Sequence, residues 1–332
     1  MLGILLINLG TPDAPTETAV REYLDVFLSD PYVITLPKLL RDFLVQKIIL
    51  PKRPTLSAHA YQQVWTDAGS PLLVNTLNLR DALQKKLEGS YCVAVGMRYG
   101  NPSIQDAVEL LQPCKKIIVF PLFPQFAKAT SQSSIDCAMN ALQEKKYNLN
   151  DVHIIEDFYQ EDFYIHSVSS IIQQSLQQNP TDFLLMSYHG LPKRQIDPNN
   201  NYQQKCYVTS QRIAETLNLS SEKYQVSFQS RLGLAKWIEP YTDRVLTELR
   251  KKNIKTVSVV CPSFVADCVE TLEEINIRLR AQWMKLGGDA FHFIPCLNAD
   301  EKWVERLILF FTCSTVIDSM QKQSCFPRHC GD

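Results

Sequence analysis

The sequence predicts a doubly wound α/β protein with two related domains that face one another. Short apolar, strand-like runs alternate with longer helical patterns through most of the chain. Three pairs of similar segments also recur in the same order along the chain. A length of 332 residues is sufficient for two domains of ordinary size, each with its own core.

Eight runs are predicted as strands of parallel sheets. Most of them are apolar throughout, as expected for strands that are buried on both faces. In chain order they are residues 3–9, 91–97, 116–121, 152–156, 182–187, 225–229, 256–260 and 290–294. The longer segments between these runs are predicted as the helices that cover the sheets.

The repeated segments relate the two halves of the chain. ILLINLGTP at 4–12 resembles LLMSYHGLP at 184–192, and VAVGMRYG at 93–100 resembles VSFQSRLG at 226–233. In a third pair, IIVFPLF at 117–123 and VVCPSF at 259–264, each copy is a strand closed by proline. Their common order indicates two related βαβ domains whose strand ends open into a shared cleft.

One histidine stands at the end of a predicted strand. The apolar run 182–187 leads to His189, and Gly190 with Pro192 ends the strand in a turn. Ligands of open α/β sheets bind at the carboxyl ends of the strands, so His189 is a candidate site residue. The alternative is a histidine whose ring is satisfied by hydrogen bonds in a packed turn.

A row of carboxylates follows another strand of the same half. A helix is predicted to begin near Asp267, which places Asp267, Glu270 and Glu274 at i, i+3 and i+7 on one face. A capping box formed by Asp267 and Glu270 is the alternative, but it does not explain Glu274. An imidazole beside such a row suits proton transfer, or the handling of a divalent cation by mixed nitrogen and oxygen ligands.

The opposite wall of the cleft is predicted to be apolar and aromatic with one or two arginines. Such a wall, at or just past the strand ends, indicates a pocket for a large, flat, anionic ligand. The residues that predict it are Met97, Arg98, Tyr99, Phe123, Trp237 and Phe264.

The segment 27–53 is an apolar stretch interrupted by basic residues, which we call the lip. It carries large apolar side chains from Tyr32 to Leu50, and its basic residues are Lys38, Arg41, Lys47, Lys52 and Arg53. The pattern fits an ordinary amphipathic core helix, a flap over a large hydrophobic ligand, or a patch that rests on a membrane.

Charge and hydropathy exclude several classes of partner and location. A formal net charge of −1 and the absence of a Lys/Arg run argue against nucleic acid. The first residues turn at once into Gly-Thr-Pro-Asp, as a first strand does and a signal peptide does not. No run approaches the length of a transmembrane helix, so we expect a cytoplasmic protein unless something draws it to a surface.

The cysteines are predicted to be reduced, mostly buried small hydrophobic residues, as is usual in a cytosolic chain. Three of the ten, Cys313, Cys325 and Cys330, cluster near His329 in the C-terminal tail. Such spacing can bind zinc or an iron–sulfur cluster, but four ligands at regular spacing are not present locally. The alternative is a loose polar tail.

Several of these motifs together resemble the ferrochelatase family, and its gammaproteobacterial members most closely. They are GILLINLGTPDAPT, FLSDPYV, GSPL, GMRYGNPSI, PLFPQF, SYHGLP, FQSRLG and CPSFVADCVETLEEI, collinear over about the first 300 residues. The resemblance implies the chelatase fold: two similar Rossmann-like domains, each a four-stranded parallel sheet flanked by helices, with a porphyrin cleft between them. It divides the chain into 1–155 with the lip, 156–300 with the active-site residues, and 301–332 with a C-terminal helix and the cysteine-containing tail.

The resemblance also implies roles for residues of the site. His189 and Glu270 match the catalytic histidine and glutamate, which also handle the metal, and Asp267 with Glu274 matches an acidic path for protons. Cys268 departs from the pattern, because many relatives carry histidine there, and this puts a metal role at that position in doubt. The positions that match porphyrin-contacting residues are Met97, Arg98, Tyr99, Trp237 and Phe264.

The implied activity is that of a lyase in the last step of haem biosynthesis. Fe²⁺ enters protoporphyrin IX and two protons leave, and the enzyme has no permanently bound cofactor. It is expected to be a monomer or a homodimer that makes weak peripheral contact with the inner membrane. Some members hold a [2Fe–2S] cluster, but Ser167 stands in the place of one ligand, so no cluster is expected here. A chelatase for another metal or for coproporphyrin III, and a porphyrin carrier without turnover, remain alternatives, and the side of iron delivery stays open.

Overall fold

Two four-stranded parallel sheets form the framework of the protein, in a computed structural model that describes residues 1–231, 233 and 235–313. The strands of the first sheet are β1 (Leu2–Gly10), β2 (Tyr91–Tyr99), β3 (Lys116–Pro121) and β4 (Val152–Ile154). Those of the second are β5 (Phe183–His189), β6 (Tyr224–Gln229), β7 (Thr256–Val260) and β8 (Ala290–Phe293). Each strand expected from the sequence is present, and the predicted fold class is confirmed.

The two sheets have the same topology. Their strand orders are β2-β1-β3-β4 and β6-β5-β7-β8. The repeated sequence segments lie on β1 and β5, on β2 and β6, and on β3 and β7, which occupy equivalent positions in the two sheets. The internal repeat read from the sequence is therefore a repeat of structure, and it places the ends of β1 and β5 at corresponding points.

Helices pack on the faces of both sheets and account for the apolar character of the strands, since residues such as Ile4 and Leu185 are fully buried. The α-helices within the described residues are α1 (Glu17–Ser29), α2 (Lys38–Phe43), α3 (Arg53–Val64), α4 (Pro71–Lys86), α5 (Ile104–Leu110), α6 (Ser133–Glu144), α7 (Asp162–Gln178), α8 (Tyr202–Thr216), α9 (Thr242–Lys251), α10 (Arg280–Lys285) and α11 (Glu301–Thr312). Short 3₁₀ turns are formed by Leu149–Asp151 and Lys193–Gln195, and π-helices by Leu44–Ile49, Lys128–Gln132 and Glu270–Leu279.

One buried cluster joins the two halves of the chain. It runs from Phe120 of the first sheet through α7 and α11 to Met186 of the second. The ring of Phe120 stacks on Phe158 with centroids 4.9 Å apart, and Phe311 of α11 meets it edge-on at 5.2 Å. Because the core crosses residues 155 and 300, the division into domains at these points stays a prediction.

None of the helices in the described part of the chain is both long and apolar enough to cross a membrane.

Candidate active site

The backbone of His189 is held at the last position of β5. Its N–H donates to Oγ of Ser263 at 3.0 Å, and its carbonyl accepts from the hydroxyl of Tyr202 at 2.9 Å. The ring of Phe264 lies edge-on to the imidazole, with centroids 6.2 Å apart. The backbone of His189, and with it the position of its Cα, is therefore fixed by α8 and by the loop after β7.

The hydrogen bonds of the imidazole define its neutral tautomer. Nδ1 of His189 lies 2.7 Å from the carbonyl oxygen of Gly190. A carbonyl can only accept, so Nδ1 carries the proton of the neutral ring and Nε2 keeps its lone pair. Within the described residues Nε2 makes no hydrogen bond. The packed-turn interpretation thus holds for one nitrogen, while the other remains able to accept a proton.

Glycine is required at position 190 by close approach rather than by an unusual backbone conformation. A Cβ built there would lie 2.7 Å from the carbonyl oxygen of Gln229 and 3.3 Å from the ring of Trp237. Pro192 and Trp237 also form an isolated antiparallel bridge. The indole predicted from the sequence as a site residue is thereby packed against the turn that carries His189.

Gln229, at the end of β6, links the histidine to the glutamate. The side chain is 4% exposed; its Oε1 accepts from Ser187 Oγ at 2.7 Å and its Nε2 donates to the carbonyl oxygen of Glu270 at 2.9 Å. Its own carbonyl accepts from the N–H of Gly190 at 2.9 Å. The sequence reasoning did not assign Gln229, although it lies in the repeated FQSRLG segment, which was the available signal.

The helix that carries the glutamate begins at Glu270 and is a π-helix, which corrects the predicted α-helical start near Asp267. The residue before it, Val269, makes no side-chain capping bond. The carboxylate of Asp267 instead accepts from Thr271 Oγ1 at 2.9 Å and from Asn298 Nδ2 at 2.8 Å. The capping-box alternative is therefore wrong, because Asp267 lies before the helix and ties its start to the loop after β8.

The row of acids does not form one open face. Asp267 is 5% exposed and its bonds point into the protein. The carboxylate of Glu274 accepts from the N–H of Ser230 at 2.8 Å and from its hydroxyl. In a helix closed by i→i+5 bonds, Glu270 and Glu274 are about one turn apart, but both outer acids have structural partners. A proton path through Asp267 and Glu274 stays a prediction.

The charge of Glu270 acts on two tyrosines of the first half of the chain. Burial, and then the charge of Glu270, raise the pKa of the Tyr23 hydroxyl well above normal. Burial raises the pKa of the Tyr61 hydroxyl in the same way, followed by the effects of Tyr23 and of Glu270. Burial, and then the charge of Glu270, also raise the pKa of the Cys268 thiol. Cys268 therefore stays protonated, and a thiol is a poor metal ligand because the thiolate is the binding form.

Met97 and Tyr99 of the segment 97–99 are buried and Arg98 is partly buried, so this segment does not form the open wall expected from the sequence. Met97 and Tyr99 are each 1% exposed. Arg98 donates to Asp30 Oδ2 at 2.6 Å and to Ser133 Oγ at 2.7 Å, so its charge is already paired. β2 runs to Tyr99, two residues beyond the predicted end, and the ring of Phe27 lies edge-on to that of Tyr99 with centroids 5.2 Å apart. Their contact with a porphyrin stays a prediction.

Asp30 is the centre of the network that anchors the lip, and we predict that it stabilises the fold above acidic pH. Burial raises the pKa of its carboxyl, but hydrogen bonds from Ser133, Tyr99 and the backbone of Tyr32, with the charge of Arg98, bring the pKa below its usual value of 3.8. A pKa lowered by folding means that the stabilisation is complete above about pH 4 and is lost as the pH falls through the folded value.

Asp30→Asn is expected to lower the free energy of unfolding by about 2–3 kcal/mol at pH 7, because it leaves Arg98 without its anion. Urea denaturation at pH 7 and at pH 3.5 measures this, and the difference from the native protein should shrink at the lower pH. Asp243→Asn is the matched control, since Asp243 pairs with Arg231 at the surface and should contribute less than about 0.5 kcal/mol. Equal effects of both substitutions would contradict the prediction.

The lip has a side that packs as a core helix does and a side with the exposed apolar residues expected of a surface patch. Val45 and Leu50 belong to a small core with α1 and α3, whereas Leu39 and Phe43 are 83% and 60% exposed. Arg41 is buried and donates to the carbonyl of Leu36 at 3.0 Å, so it is not part of the basic surface. The lip therefore packs on the protein through one side and leaves an apolar ridge on the other.

The C-terminal cysteines are only partly described. Cys313 is exposed, while Cys325, Cys330 and His329 lie outside the described residues. Ser167 is buried on α7 and donates to the carbonyl of Phe163 at 2.7 Å. The absence of a cluster stays a prediction. In the parts of the chain that the structure describes, no group of three or more His, Cys, Asp or Glu is placed to hold a metal ion.

The family model and the curated relatives that match the chain are ferrochelatases. The ferrochelatase family model matches residues 1–312. A curated ferrochelatase of Coxiella burnetii (strain Dugway 5J108-111) is 46% identical over 329 residues, which cover 92% of each chain. A ferrochelatase of Legionella pneumophila (strain Paris) is 43% identical over 323 residues, which cover 92% of this chain and 97% of that protein.

Solved structures show similarity of fold. SirB from Bacillus subtilis with Fe³⁺ has a TM-score of 0.54 at 10% identity, covering 98% of this chain and 96% of that one. DR2241 from Deinococcus radiodurans, a multi-domain protein with structural similarity to chelatases, has a TM-score of 0.50 at 12% identity and covers 93% of this chain and 54% of that one. At these identities the similarity shows the chelatase-like arrangement of the two sheets and nothing about the site.

Proposed function

The chain belongs to the ferrochelatase family, and from this premise we propose that it inserts Fe²⁺ into protoporphyrin IX, with release of two protons, as the last step of haem synthesis. The matches over most of the chain support this activity. The observation that carries it to the residues is the link that Gln229 makes between the turn after His189 and the backbone of Glu270 at the start of its helix. The imidazole offers Nε2 as a base, and the carboxylate offers a second acceptor.

The chemistry requires a base on one face of a bent macrocycle. A flat porphyrin keeps its four nitrogens in the ring plane, and two of them carry protons that block the metal. Bending the ring in the cleft turns nitrogen lone pairs toward one face, and binding of the rest of the macrocycle supplies the energy for this distortion. His189 Nε2 accepts a pyrrole proton, while Glu270 relays protons or passes the metal, with Asp267 and Glu274 as the path outward.

Phe264 and Trp237 support this placement because both lie against the histidine turn. Phe264 meets the imidazole edge-on, and Trp237 packs on Gly190. Their rings supply apolar surface for a flat ligand beside the base. A carrier that only binds porphyrin needs apolar walls and an axial ligand, but it has no use for a proton acceptor in addition to the histidine.

Anaerobic insertion assays test the proposed function. Purified protein is mixed with Fe²⁺ and with protoporphyrin IX or coproporphyrin III, and the absorbance of the product haem is followed. Turnover with protoporphyrin IX is the expected result. Turnover with coproporphyrin III alone would identify the other tetrapyrrole activity, and stoichiometric binding without haem formation would identify a carrier.

We further propose that the lip collects porphyrin at the cytoplasmic face of the inner membrane. Protoporphyrin partitions into bilayers, and the lip exposes Leu39, Leu40 and Phe43 as well as the basic side chains of Lys47 and Lys52. Apolar side chains at a basic surface suit the boundary of an anionic bilayer, with about 1 kcal/mol for each basic residue near the head groups.

Changing Leu39, Leu40 and Phe43 together to serine should weaken binding to vesicles that contain anionic lipid. Wild-type binding should fall with added salt, and both effects are measured by vesicle sedimentation. Because the three side chains are exposed, the variant should keep the native melting temperature. Leu110 and Leu309, exposed outside the lip, changed together to serine are the matched control and should leave binding unchanged. Unaltered binding by the folded triple variant would disprove membrane contact through the lip.

A further inference from the structure

Two cysteine side chains approach each other at one edge of the first sheet, outside the site described above. Cys92 is the second residue of β2, which is the edge strand of that sheet. Cys114 lies in the turn between α5 and β3. Both are free cysteines; Cys114 is buried, whereas Cys92 is partly exposed. The proposed mechanism gives neither thiol a role.

The absence of a side chain at Gly3 lets Cys114 come close to Cys92. In the register of the sheet, Gly3 of β1 is paired with Cys92 on one side and with Ile117 of β3 on the other. A Cβ built on Gly3 would lie 3.3 Å from the Cβ of Cys114 and 3.2 Å from the side chain of Leu111. Neighbouring strands are about 4.8 Å apart, so Cys114 occupies the space directly beside Cys92.

The two thiols form a hydrogen bond, and the buried thiol is its donor. Burial, then the charge of Cys92 and then the hydrogen bond with Cys92 raise the pKa of the Cys114 thiol to about 11. A hydrogen bond raises the pKa of a thiol when that thiol donates it, so Cys114 keeps its proton and Cys92 accepts. Sγ of Cys92 also lies 3.9 Å from the carbonyl oxygen of Leu110 at the end of α5.

Tyr147 is a third polar group beside the two thiols. It packs against the same apolar cluster as Cys92 and Cys114, and its buried hydroxyl makes no hydrogen bond with the described residues. Burial, and then the charges of Cys114 and Cys92, raise the pKa of this hydroxyl to about 12, so it stays protonated. A buried donor without a partner costs free energy, and an oxygen atom added to a neighbouring sulfur would supply the missing acceptor.

We propose that Cys92 and Cys114 are a reversible redox pair, which becomes a disulfide when hydrogen peroxide oxidises Cys92. The thiolate of Cys92 attacks one oxygen of the peroxide, and this yields a sulfenic acid on Cys92 and, with one proton, a molecule of water. The sulfur of Cys114 then displaces the sulfenic oxygen, which leaves with the Cys114 proton as a second molecule of water. The two thiols lose two electrons, and the peroxide gains them.

The arrangement favours the disulfide over further oxidation of Cys92. The sulfenic acid forms in contact with the Cys114 thiol, whereas a second peroxide must first arrive from solution. The hydroxyl of Tyr147 is the donor available to the sulfenic oxygen. The bond would join the edge strand β2, across β1, to the turn before β3. The proposal does not depend on the proposed function.

Peptide mapping of the full chain tests the pair, because trypsin separates the two cysteines. Its cleavage sites place Cys92 in peptide 87–98 and Cys114 in peptide 99–115. Protein treated with hydrogen peroxide and then alkylated should give these two peptides joined by a disulfide, and dithiothreitol should separate them. Absence of the joined peptides would overturn the proposal. A covalent dimer in a denaturing gel without reductant would overturn it as well, because the bond would then join two copies of the chain.

Single substitutions assign the two roles. Without its partner, Cys92 of the Cys114→Ala protein should pass to the sulfinic acid, and the share that dithiothreitol cannot restore should rise about fivefold. An equal share in both proteins would refute the role of Cys114. Cys92→Ala alters a partly exposed residue, so it serves if Cys114→Ala does not fold, and it should leave the buried Cys114 reduced; oxidation of Cys114 in this protein would refute the role of Cys92. Cys137→Ala is the matched control, because Cys137 is also partly exposed, and it should give the joined peptides in native yield.

Discussion

Replacing His189 by alanine is expected to abolish iron insertion while porphyrin affinity stays within about tenfold of the native value. Nε2 of the neutral ring accepts a proton in the chemical step, and alanine removes this acceptor without disturbing the backbone bonds to Ser263 and Tyr202. Turnover is measured as haem formation without oxygen, and affinity by quenching of porphyrin fluorescence.

His166→Ala is the control for this substitution, because His166 is an exposed imidazole on α7, and it should keep full activity. Added imidazole should partly restore turnover in the His189→Ala protein, since a soluble base can fill the space of the missing ring. Undiminished turnover of His189→Ala would remove this residue from the mechanism. Loss of porphyrin binding in parallel with turnover would reassign it from proton transfer to substrate binding.

Glu270→Gln is expected to lower the rate of insertion about 100-fold with an unchanged melting temperature. The substitution keeps the shape of the side chain, and the bond that Gln229 donates is to the backbone carbonyl of Glu270. The helix start is tied down by Asp267 and Thr271, so the stability change should stay below about 1 kcal/mol. Stopped-flow insertion kinetics and thermal unfolding give the two quantities.

Glu273→Gln provides a matched change on the same helix, because Glu273 pairs with Arg278 at 3.2 Å and has no place in the mechanism. It should keep its rate within about threefold of the native protein. If Glu270→Gln inserted iron at the native rate, the carboxylate would have no chemical role. If its rate fell only together with its melting temperature, the role would be structural.

Local sequence patterns were sufficient for the framework. Strands that are buried on both faces must be apolar throughout, so their positions are visible as runs in the sequence, and β3 and β7 were predicted with their observed ends. The repeated segments were equally informative because equivalent strands of two similar sheets meet the same packing constraints. His189 could be placed at a strand end for the same reason.

The start of the glutamate helix could not be read in the same way. Asp267 followed three residues later by Glu270 has the spacing of a capping box, and nothing nearby in the sequence excludes it. The structure replaces that cap by contacts with Thr271 and with Asn298 from a distant loop. A helix cap requires the carboxylate of Asp267 to accept from the helix backbone, and other donors compete for that carboxylate. One of the donors that it binds here, Asn298, lies 31 residues away in sequence.

Burial and partnership were also decided by the tertiary structure. The sequence determined that aromatic, basic and acidic residues follow the strand ends, but Tyr99 and Arg98 are turned to Asp30 and away from any open wall. It gave no sign that Gln229 would join the strand of His189 to the helix of Glu270. The pattern of apolar residues along the chain predicts which helices and strands form, because these elements depend on neighbours within a few positions. Which polar groups meet depends on how separate elements pack, and only the assembled fold determines that.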